Sequence, residues 1–143
     1  MSNIVKLKKG LNINLLGEAD KVYASIKSHQ LFALKPTEFH NLTPKLSVKP
    51  GDRVKAGSVI FYDKYNNNIN FCSPVSGEIT DVIRGDKRRI LEVLIKSDQE
   101  IEYESFPVND SKELSREQII DHMLKGGVWP FIRQKPYDII ANP

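Results

Sequence analysis

The chain has 143 residues, of which 40% are hydrophobic and 27% charged, a composition typical of a soluble globular protein with one domain or one domain plus an appendage. Its 21 basic and 18 acidic side chains give a net charge of +3, which is too small to indicate a nucleic-acid-binding protein. Cys72 is the only cysteine, which excludes an intrachain disulfide, and no apolar run approaches the roughly 20 residues of a membrane-spanning helix.

Residues 1–108 predict a mostly β domain, because short β-branched segments alternate there with Gly, Pro and Asn. We expect strands at residues 22–26, 59–62, 69–72, 78–83 and 90–95. The last of these segments is almost continuously apolar, which predicts a well-buried strand.

The pattern changes at about residue 109, and residues 109–143 predict a helical appendage. Ser115 followed by Gln118 fits a capping box that begins a helix, and the apolar residues after it recur on one helical face. The glycine pair at 126–127 predicts the end of that helix, since glycine accepts the left-handed backbone of a helix terminus. A proline near the start of residues 129–134 predicts a second short helix.

Two glycine-rich segments indicate the fold. Residues 48–60 read Val-Lys-Pro-Gly-Asp-Arg-Val-Lys-Ala-Gly-Ser-Val-Ile, and residues 73–79 read Ser-Pro-Val-Ser-Gly-Glu-Ile. Gly51 and Gly57 can take positive φ at tight corners, and the valines of these segments supply inward side chains. In this order and spacing the segments resemble the two halves of a lipoyl/biotinyl domain. The expected fold is therefore a mostly β barrel-sandwich hybrid with a C-terminal helical appendage.

A carrier domain of this fold presents a lysine at the tip of the hairpin between the two halves, where lipoate or biotin is attached. Here the tip is expected near Asn66, within the sequence Lys-Tyr-Asn-Asn-Asn at residues 64–68. Three asparagines favour a turn but offer no amine. Lys64 lies nearby without the Asp-Lys-Ala or Met-Lys-Met context of a carrier lysine. We therefore predict that the swinging-arm chemistry is absent and that Lys64 is a solvated turn residue.

Further motifs together resemble one protein family. They lie at residues 7–13, 34–37, 63–64, 71–77, 84–88, 114–118 and 126–137, and include Arg-Gly-Asp-Lys-Arg and Gly-Gly-Val-Trp-Pro-Phe-Ile-Arg-Gln-Lys-Pro-Tyr. In this order they resemble the N-terminal part of the A subunit of the Na⁺-translocating NADH:quinone oxidoreductase, over nearly the whole chain. The segment at residues 38–44 is longer than the corresponding segment of the family. Family members continue well beyond this region, so we expect the chain to be the N-terminal piece of a longer protein.

The resemblance implies a role in a bacterial inner-membrane enzyme that oxidises NADH, reduces ubiquinone and pumps Na⁺. It implies a non-catalytic module of a peripheral subunit on the cytoplasmic side, with no transmembrane span and with the other subunits as partners. Flavins and iron–sulfur centres are expected in those other subunits. Related redox subunits carry a glycine-rich nucleotide loop after this region, whereas residues 126–130 read Gly-Gly-Val-Trp-Pro. Trp and Pro obstruct close backbone approach to a phosphate, so we expect no flavin or NADH site here.

No nucleophile–base pair, defined carboxylate pair or phosphate loop is evident, and His29, His40 and His122 lack metal-ligand spacing. We therefore expect no catalytic, cofactor or metal site within the chain. Cys72 follows an apolar residue in a predicted strand and is expected to be a buried, unreactive thiol.

The candidate docking residues form a basic turn and an aromatic cluster: Arg84, Lys87, Arg88, Arg89, Trp129 and Phe131. The basic turn is either a solvated loop or a contact with another subunit or with anionic headgroups. The aromatic cluster, together with Tyr137, either caps the β core or packs on a following domain.

Two other functions remain open from the sequence. One is a lipoyl- or biotinyl-type carrier, which would require covalent modification at Lys64. The other is a stand-alone interaction module, either for nucleic acid or for protein. The small net charge and the lack of interleaved aromatic and basic residues disfavour nucleic acid.

Overall fold

The computed structural model describes residue 6, residues 16–25, residues 29–107, residue 110 and residues 113–143. Its strands are β1 (Leu31–Leu34), β2 (Pro44–Leu46), β3 (Arg53–Val54), β4 (Val59–Asp63), β5 (Asn70–Cys72), β6 (Gly77–Arg84), β7 (Ile90–Ser97), β8 (Arg133–Gln134) and β9 (Ile139–Ile140). A helix, α1 (Arg116–Lys125), lies between β7 and β8. Short 3-10 turns occur at Pro36–Glu38, Asp86–Arg88 and Trp129–Phe131.

The strands form two larger antiparallel sheets that share one core. One sheet has the order β1-β7-β6-β3 and the other has the order β2-β4-β5, while β8 and β9 form a separate ladder. Ile79, Val93 and Ile95 from the first sheet and Ile60 and Phe61 from the second are fully buried in a single apolar cluster. Burial of these side chains from water is the main stabilising contribution to the fold.

The two glycine-rich segments interlock, as the predicted fold requires. Val54 on β3 pairs with Gly77 on β6. The amide N–H of Gly57 donates to the carbonyl oxygen of Ser73 at 2.8 Å, and the Ser73 N–H donates to the carbonyl of Ser58 at 2.8 Å. Gly57 takes a positive φ of 101°, as the sequence predicts for that corner. The predicted mostly β fold with a C-terminal helix is confirmed.

Most predicted strands are present, but the first is wrong. Strands β4 to β7 match the four later predictions to within two residues. Residues 22–25 form no strand, and Tyr23 among them is fully exposed, while residue 26 lies outside the described residues. A β-branched composition cannot form a strand without a neighbour that satisfies its backbone N–H and C=O groups. The family motif at residues 7–13 also lies outside the described residues.

The C-terminal segment folds against the β core. The hydroxyl of Ser115 accepts from the Gln118 N–H and the Gln118 side chain accepts from the Ser115 N–H, which confirms the capping box. Helix α1 ends at Lys125, directly before the glycine pair. The second helix is shorter than predicted, because the chain turns into β8 after one 3-10 turn. Leu124 and Trp129 belong to the same apolar cluster as the sheets. The boundary between residues 108 and 109 stays a prediction.

Within the described ranges, α1 is the longest helix, and none has the length and apolar character needed to traverse a bilayer.

Candidate docking surfaces and the hairpin tip

The β4–β5 hairpin occupies the position of the carrier hairpin in lipoyl/biotinyl-like domains. Its turn closes with a hydrogen bond from the Ile69 N–H to the carbonyl of Asn66 at 3.0 Å, so Asn67 and Asn68 form the tip. The predicted location of the tip is confirmed. No side chain at the tip carries an amine, and both central asparagines are exposed.

Lys64 lies at the base of this hairpin loop, directly after β4. It is exposed, and its backbone N–H donates to the carbonyl of Thr43 at 2.8 Å. Its ammonium lies 5.8 Å from the centroid of the exposed Tyr65 ring. These surroundings fit the predicted solvated turn lysine and give the amine no setting that would single it out chemically.

Both flanks of the hairpin face other parts of the chain. A cleft of about 360 Å³ separates one flank from α1 and is lined by Asn67, Asn68, Asn70, Glu117, Ile120, Asp121, Leu124 and Lys125. A cleft of about 160 Å³ on the hairpin is lined by His40, Asn41, Leu42, Asp63, Asn66, Ile69, Ile139, Ile140, Ala141 and Asn142. The flanks of the hairpin are therefore bordered by α1 and by the C-terminal residues, while Asn67 and Asn68 at its tip are exposed.

The β6–β7 hairpin carries the basic turn beyond the edge of its sheet. Strand β3 pairs with β6 only at Gly77 and Glu78, and β1 pairs with β7 only from Val93 onward. Residues 83–92, here called the basic ribbon, therefore have two strands, and within the described residues no third strand lies beside them. The β6–β7 ladder continues along the ribbon to the pair Arg84 and Ile90, and Ile90 is still packed in the apolar core, so only the turn beyond this pair lies free of the sheet.

The turn at the end of the basic ribbon is tight. The Arg89 N–H donates to the carbonyl of Asp86 at 3.1 Å, with Lys87 and Arg88 between them. Both central residues have positive φ, 53° for Lys87 and 61° for Arg88, which is the geometry of a type I′ turn. Gly85, next to the turn, has a negative φ of −98°, so the left-handed backbone lies at the two cations and not at the glycine.

The four basic side chains predicted for docking lie together on this ribbon: Arg84, Lys87, Arg88 and Arg89. All four are exposed. Within the described part of the chain none of them forms an ion pair. Arg84 donates to the carbonyl of Arg88 at 3.2 Å, which holds one guanidinium across the turn.

The predicted aromatic cluster divides into a buried and an exposed part. Trp129 is only 8% exposed, and its indole N–H donates to the carbonyl of Ala141 at 2.8 Å. Phe131 and Tyr137 are 70% and 77% exposed, beside the half-exposed Val128. Trp129 therefore caps the β core, while Phe131 and Tyr137 present apolar surface outward. We call Val128, Phe131, Ile132 and Tyr137 the aromatic face.

A series of aromatic ring contacts connects the core to the aromatic face. No sequence pattern predicted these contacts. Phe61 stacks on Phe71 with centroids 4.7 Å apart, and the Phe39 ring meets Phe71 edge-on at the same distance. Phe131 lies 6.3 Å from Phe39 on the outer side. The Arg133 guanidinium lies 4.7 Å over Phe39. Such contacts between distant residues leave no periodic signal.

Cys72 is half-buried, less than the sequence predicts. Burial, and secondarily the nearby Glu104 carboxylate, raise the pKa of its thiol to about 11. A thiol with so high a pKa is a poor nucleophile near neutral pH. Across the described ranges, no three or more His, Cys, Asp or Glu side chains are arranged to hold a metal ion.

The architecture and hairpin define the class of protein: a lipoyl/biotinyl-like domain whose hairpin tip bears no carrier lysine. Residues 5–98 match the model of the NqrA N-terminal barrel-sandwich hybrid domain, so the chain belongs to this family. The predicted family and the predicted barrel-sandwich hybrid are thereby confirmed.

Two relatives that contain this region carry the same name. The chain is 30% identical over 142 residues to the A subunit of the Na⁺-translocating NADH-quinone reductase of Pseudomonas aeruginosa, covering 98% of this chain and 32% of that relative. It is 34% identical over 139 residues to the protein of the same name from Neisseria meningitidis serogroup A, covering 96% of this chain and 31% of that relative. The chain thus spans about a third of the length of these relatives.

Proposed function

We propose that this chain acts as the non-catalytic N-terminal module of the A subunit in a Na⁺-translocating NADH–quinone reductase. The observation that carries the proposal is the similarity of nearly the whole chain to proteins of that name. In this role the module works on the cytoplasmic side of the bacterial inner membrane, peripheral to it, with the other subunits of the complex as partners.

The hairpin supports a structural role over a carrier role. Its tip consists of Asn67 and Asn68, and clefts on the hairpin border α1 and the C-terminal residues. A prosthetic arm fixed to Lys64 would start at the base of the loop, where the backbone is tied to Thr43. These features favour a fixed module over a mobile carrier.

We further propose that redox cofactors are held by other subunits. NADH and ubiquinone are used by the complex, and flavins and iron–sulfur centres belong to its other chains. In this chain the segment that follows α1 directs Trp129 and Pro130 into the core. The amide N–H groups of Gly127, Val128, Phe131 and Ile132 donate to carbonyls of α1 or of the segment itself, so they are not free to cradle a phosphate.

Docking of the module is assigned to two surfaces. One is the basic ribbon with Arg84, Lys87, Arg88 and Arg89. The other is the aromatic face, where Phe131 is the exposed anchor and Trp129 fixes the segment that presents it. Exposed aromatic side chains of this kind commonly supply the central contacts of protein interfaces.

Isolation of the complex tests this proposal. The full-length protein containing this segment, tagged and extracted from membranes in mild detergent, should copurify with the other subunits and with Na⁺-stimulated NADH–quinone reductase activity. The Phe131→Ser variant should lower the yield of the complex. Tyr103→Ser is the matched control, because Tyr103 is 71% exposed against 70% for Phe131. Copurification of no redox subunit would refute the proposed function.

The carrier alternative has its own test. The chain is coexpressed with a lipoate or biotin ligase, and its intact mass is measured. An unmodified mass is expected. A mass increase that disappears in Lys64→Arg would show that the hairpin does carry a prosthetic group.

A further inference from the structure

We infer that the basic ribbon docks this module directly on the anionic phosphate headgroups of a lipid bilayer. This inference deepens the proposed function and rests on it for the presence of a membrane. It assigns Arg84, Lys87, Arg88 and Arg89 to lipid, leaving the aromatic face for protein.

The end of the ribbon carries a high local positive charge. The six residues 84–89 contain four basic side chains and one acidic side chain, a local charge of +3. The whole chain also has a charge of +3, so its remaining residues are balanced. Glu92 at the base of the ribbon does not offset the turn, since its carboxylate pairs with Lys35 at 3.4 Å. The turn therefore carries a local charge as large as the net charge of the whole chain.

The backbone at the turn indicates that the cations are there for a purpose other than folding. Both central positions of a type I′ turn need positive φ, for which Asn and Gly are the favoured residues. Lys87 and Arg88 occupy these positions instead, with φ of 53° and 61°. A branched or long side chain in the left-handed region is unfavourable relative to glycine. Strain held at charged, exposed residues points to a function outside the folded core.

The shape of the ribbon fits a flat surface. Residues 83–92 extend past the last residues that pair with β3 and with β1, so the turn lies beyond the end of the four-stranded part of the sheet. The four cations are exposed and lack ion-pair partners in the described structure. Several cations on one short turn can come together within a screening length, about 10 Å at moderate salt, of a bilayer surface.

The composition of the turn favours lipid over protein or nucleic acid. Residues 84–89 read Arg-Gly-Asp-Lys-Arg-Arg and include no aromatic or large apolar side chain. Protein interfaces depend on buried aromatic or apolar anchors and are depleted in lysine at their centres. Single-stranded nucleic acid is held by aromatic stacking as well as by charge. Headgroup attraction needs only cations near the surface.

Vesicle cosedimentation tests this inference on the purified chain. The probes are phosphatidylcholine vesicles with and without added phosphatidylglycerol, at low and at raised salt. The test variant is the double substitution Lys87→Asn with Arg88→Gly, which suits the type I′ turn and so keeps the hairpin folded. The control is the double substitution Lys49→Gln with Arg116→Gln. It removes two exposed cations outside the ribbon and so changes the net charge by the same amount.

The chain should sediment with phosphatidylglycerol vesicles only, and raised salt should release it. The ribbon variant should reduce the partition coefficient roughly 25-fold, about fivefold for each cation removed, while the control variant binds substantially better. Equal binding to both vesicle types, or equal losses in the two variants, would overturn the inference. So would a ribbon variant that binds vesicles normally but no longer copurifies with another subunit. Failure to bind vesicles alongside intact copurification refutes the lipid contact and leaves the proposed function standing.

Discussion

A Cβ atom placed on Gly127 would stand 2.5 Å from the Sγ atom of Cys72, so the chain after α1 lies directly against strand β5. Gly127 also has a positive φ of 68°. The Gly127→Ala substitution should therefore lower the free energy of unfolding by about 2–4 kcal/mol, from the clash and the backbone strain together. Urea denaturation measures the change.

Two comparisons separate these causes. Gly51 has a φ of 92°, but a Cβ atom added there would meet no atom within 4 Å, so Gly51→Ala should cost only the strain, about 1–2 kcal/mol. Adding Cys72→Ala to the Gly127→Ala variant should restore part of the lost stability. If the second substitution restores nothing, the thiol is not the obstacle.

The raised pKa of the Cys72 thiol should lower the free energy of unfolding at alkaline pH. Its pKa is raised from the ordinary value of 9.0 to about 11, so the folded state holds the thiol proton more tightly than the unfolded state. Stability is unaffected below pH 9.0 and should fall as the pH rises toward 11. Denaturation midpoints of the wild type and of Cys72→Ala, measured across this range, should converge or cross as the pH increases. Parallel curves would contradict a raised pKa.

Truncation of Trp129 should lower the free energy of unfolding much more than truncation of Phe131. Trp129 is 8% exposed and donates to Ala141, so Trp129→Ala should cost about 3–5 kcal/mol. Phe131 is 70% exposed, and Phe131→Ala should change stability by less than about 1 kcal/mol. Thermal unfolding of the two variants checks this contrast. Equal costs would mean that the aromatic face is not free in the isolated chain.

The basic turn should become more stable when its cations are removed. The double substitution Lys87→Asn with Arg88→Gly relieves the backbone strain of two residues with positive φ. This gain in folded-state stability exceeds the entropy that the added glycine contributes to the unfolded chain. We expect the free energy of unfolding to rise by about 1 kcal/mol. Lys49→Gln with Arg116→Gln should leave it unchanged. A destabilised turn variant would show that Lys87 and Arg88 serve the fold.

Local chemistry made part of this fold predictable. Ser115 and Gln118 indicate the start of α1, because a capping box is a short-range arrangement. The corner at Gly57 was predictable for the same reason, since its φ of 101° belongs to glycine. Strands β4 to β7 followed from apolar, β-branched segments between turn residues.

Long-range packing was not predictable in this way. The rings of Phe39 and Phe131 meet across more than ninety positions of sequence, and no spacing rule connects them. The two-residue ladder of β8 and β9 is too short to show alternation. At the basic turn, Lys87 and Arg88 adopt a left-handed conformation that their residue types disfavour, so no residue preference indicated it.

The segments beside the β4–β5 hairpin bear on how readily an enzyme could attach a prosthetic group to this domain. An attaching enzyme must grip a hairpin to reach its lysine, and here α1 lies across a cleft from Asn67 while residues 139–142 line another. Substitution of Asn67 by lysine would supply an amine at the tip. The attaching enzyme would still have to reach this amine beside α1. Modification at this hairpin therefore depends on the neighbouring segments as well as on a lysine at the tip.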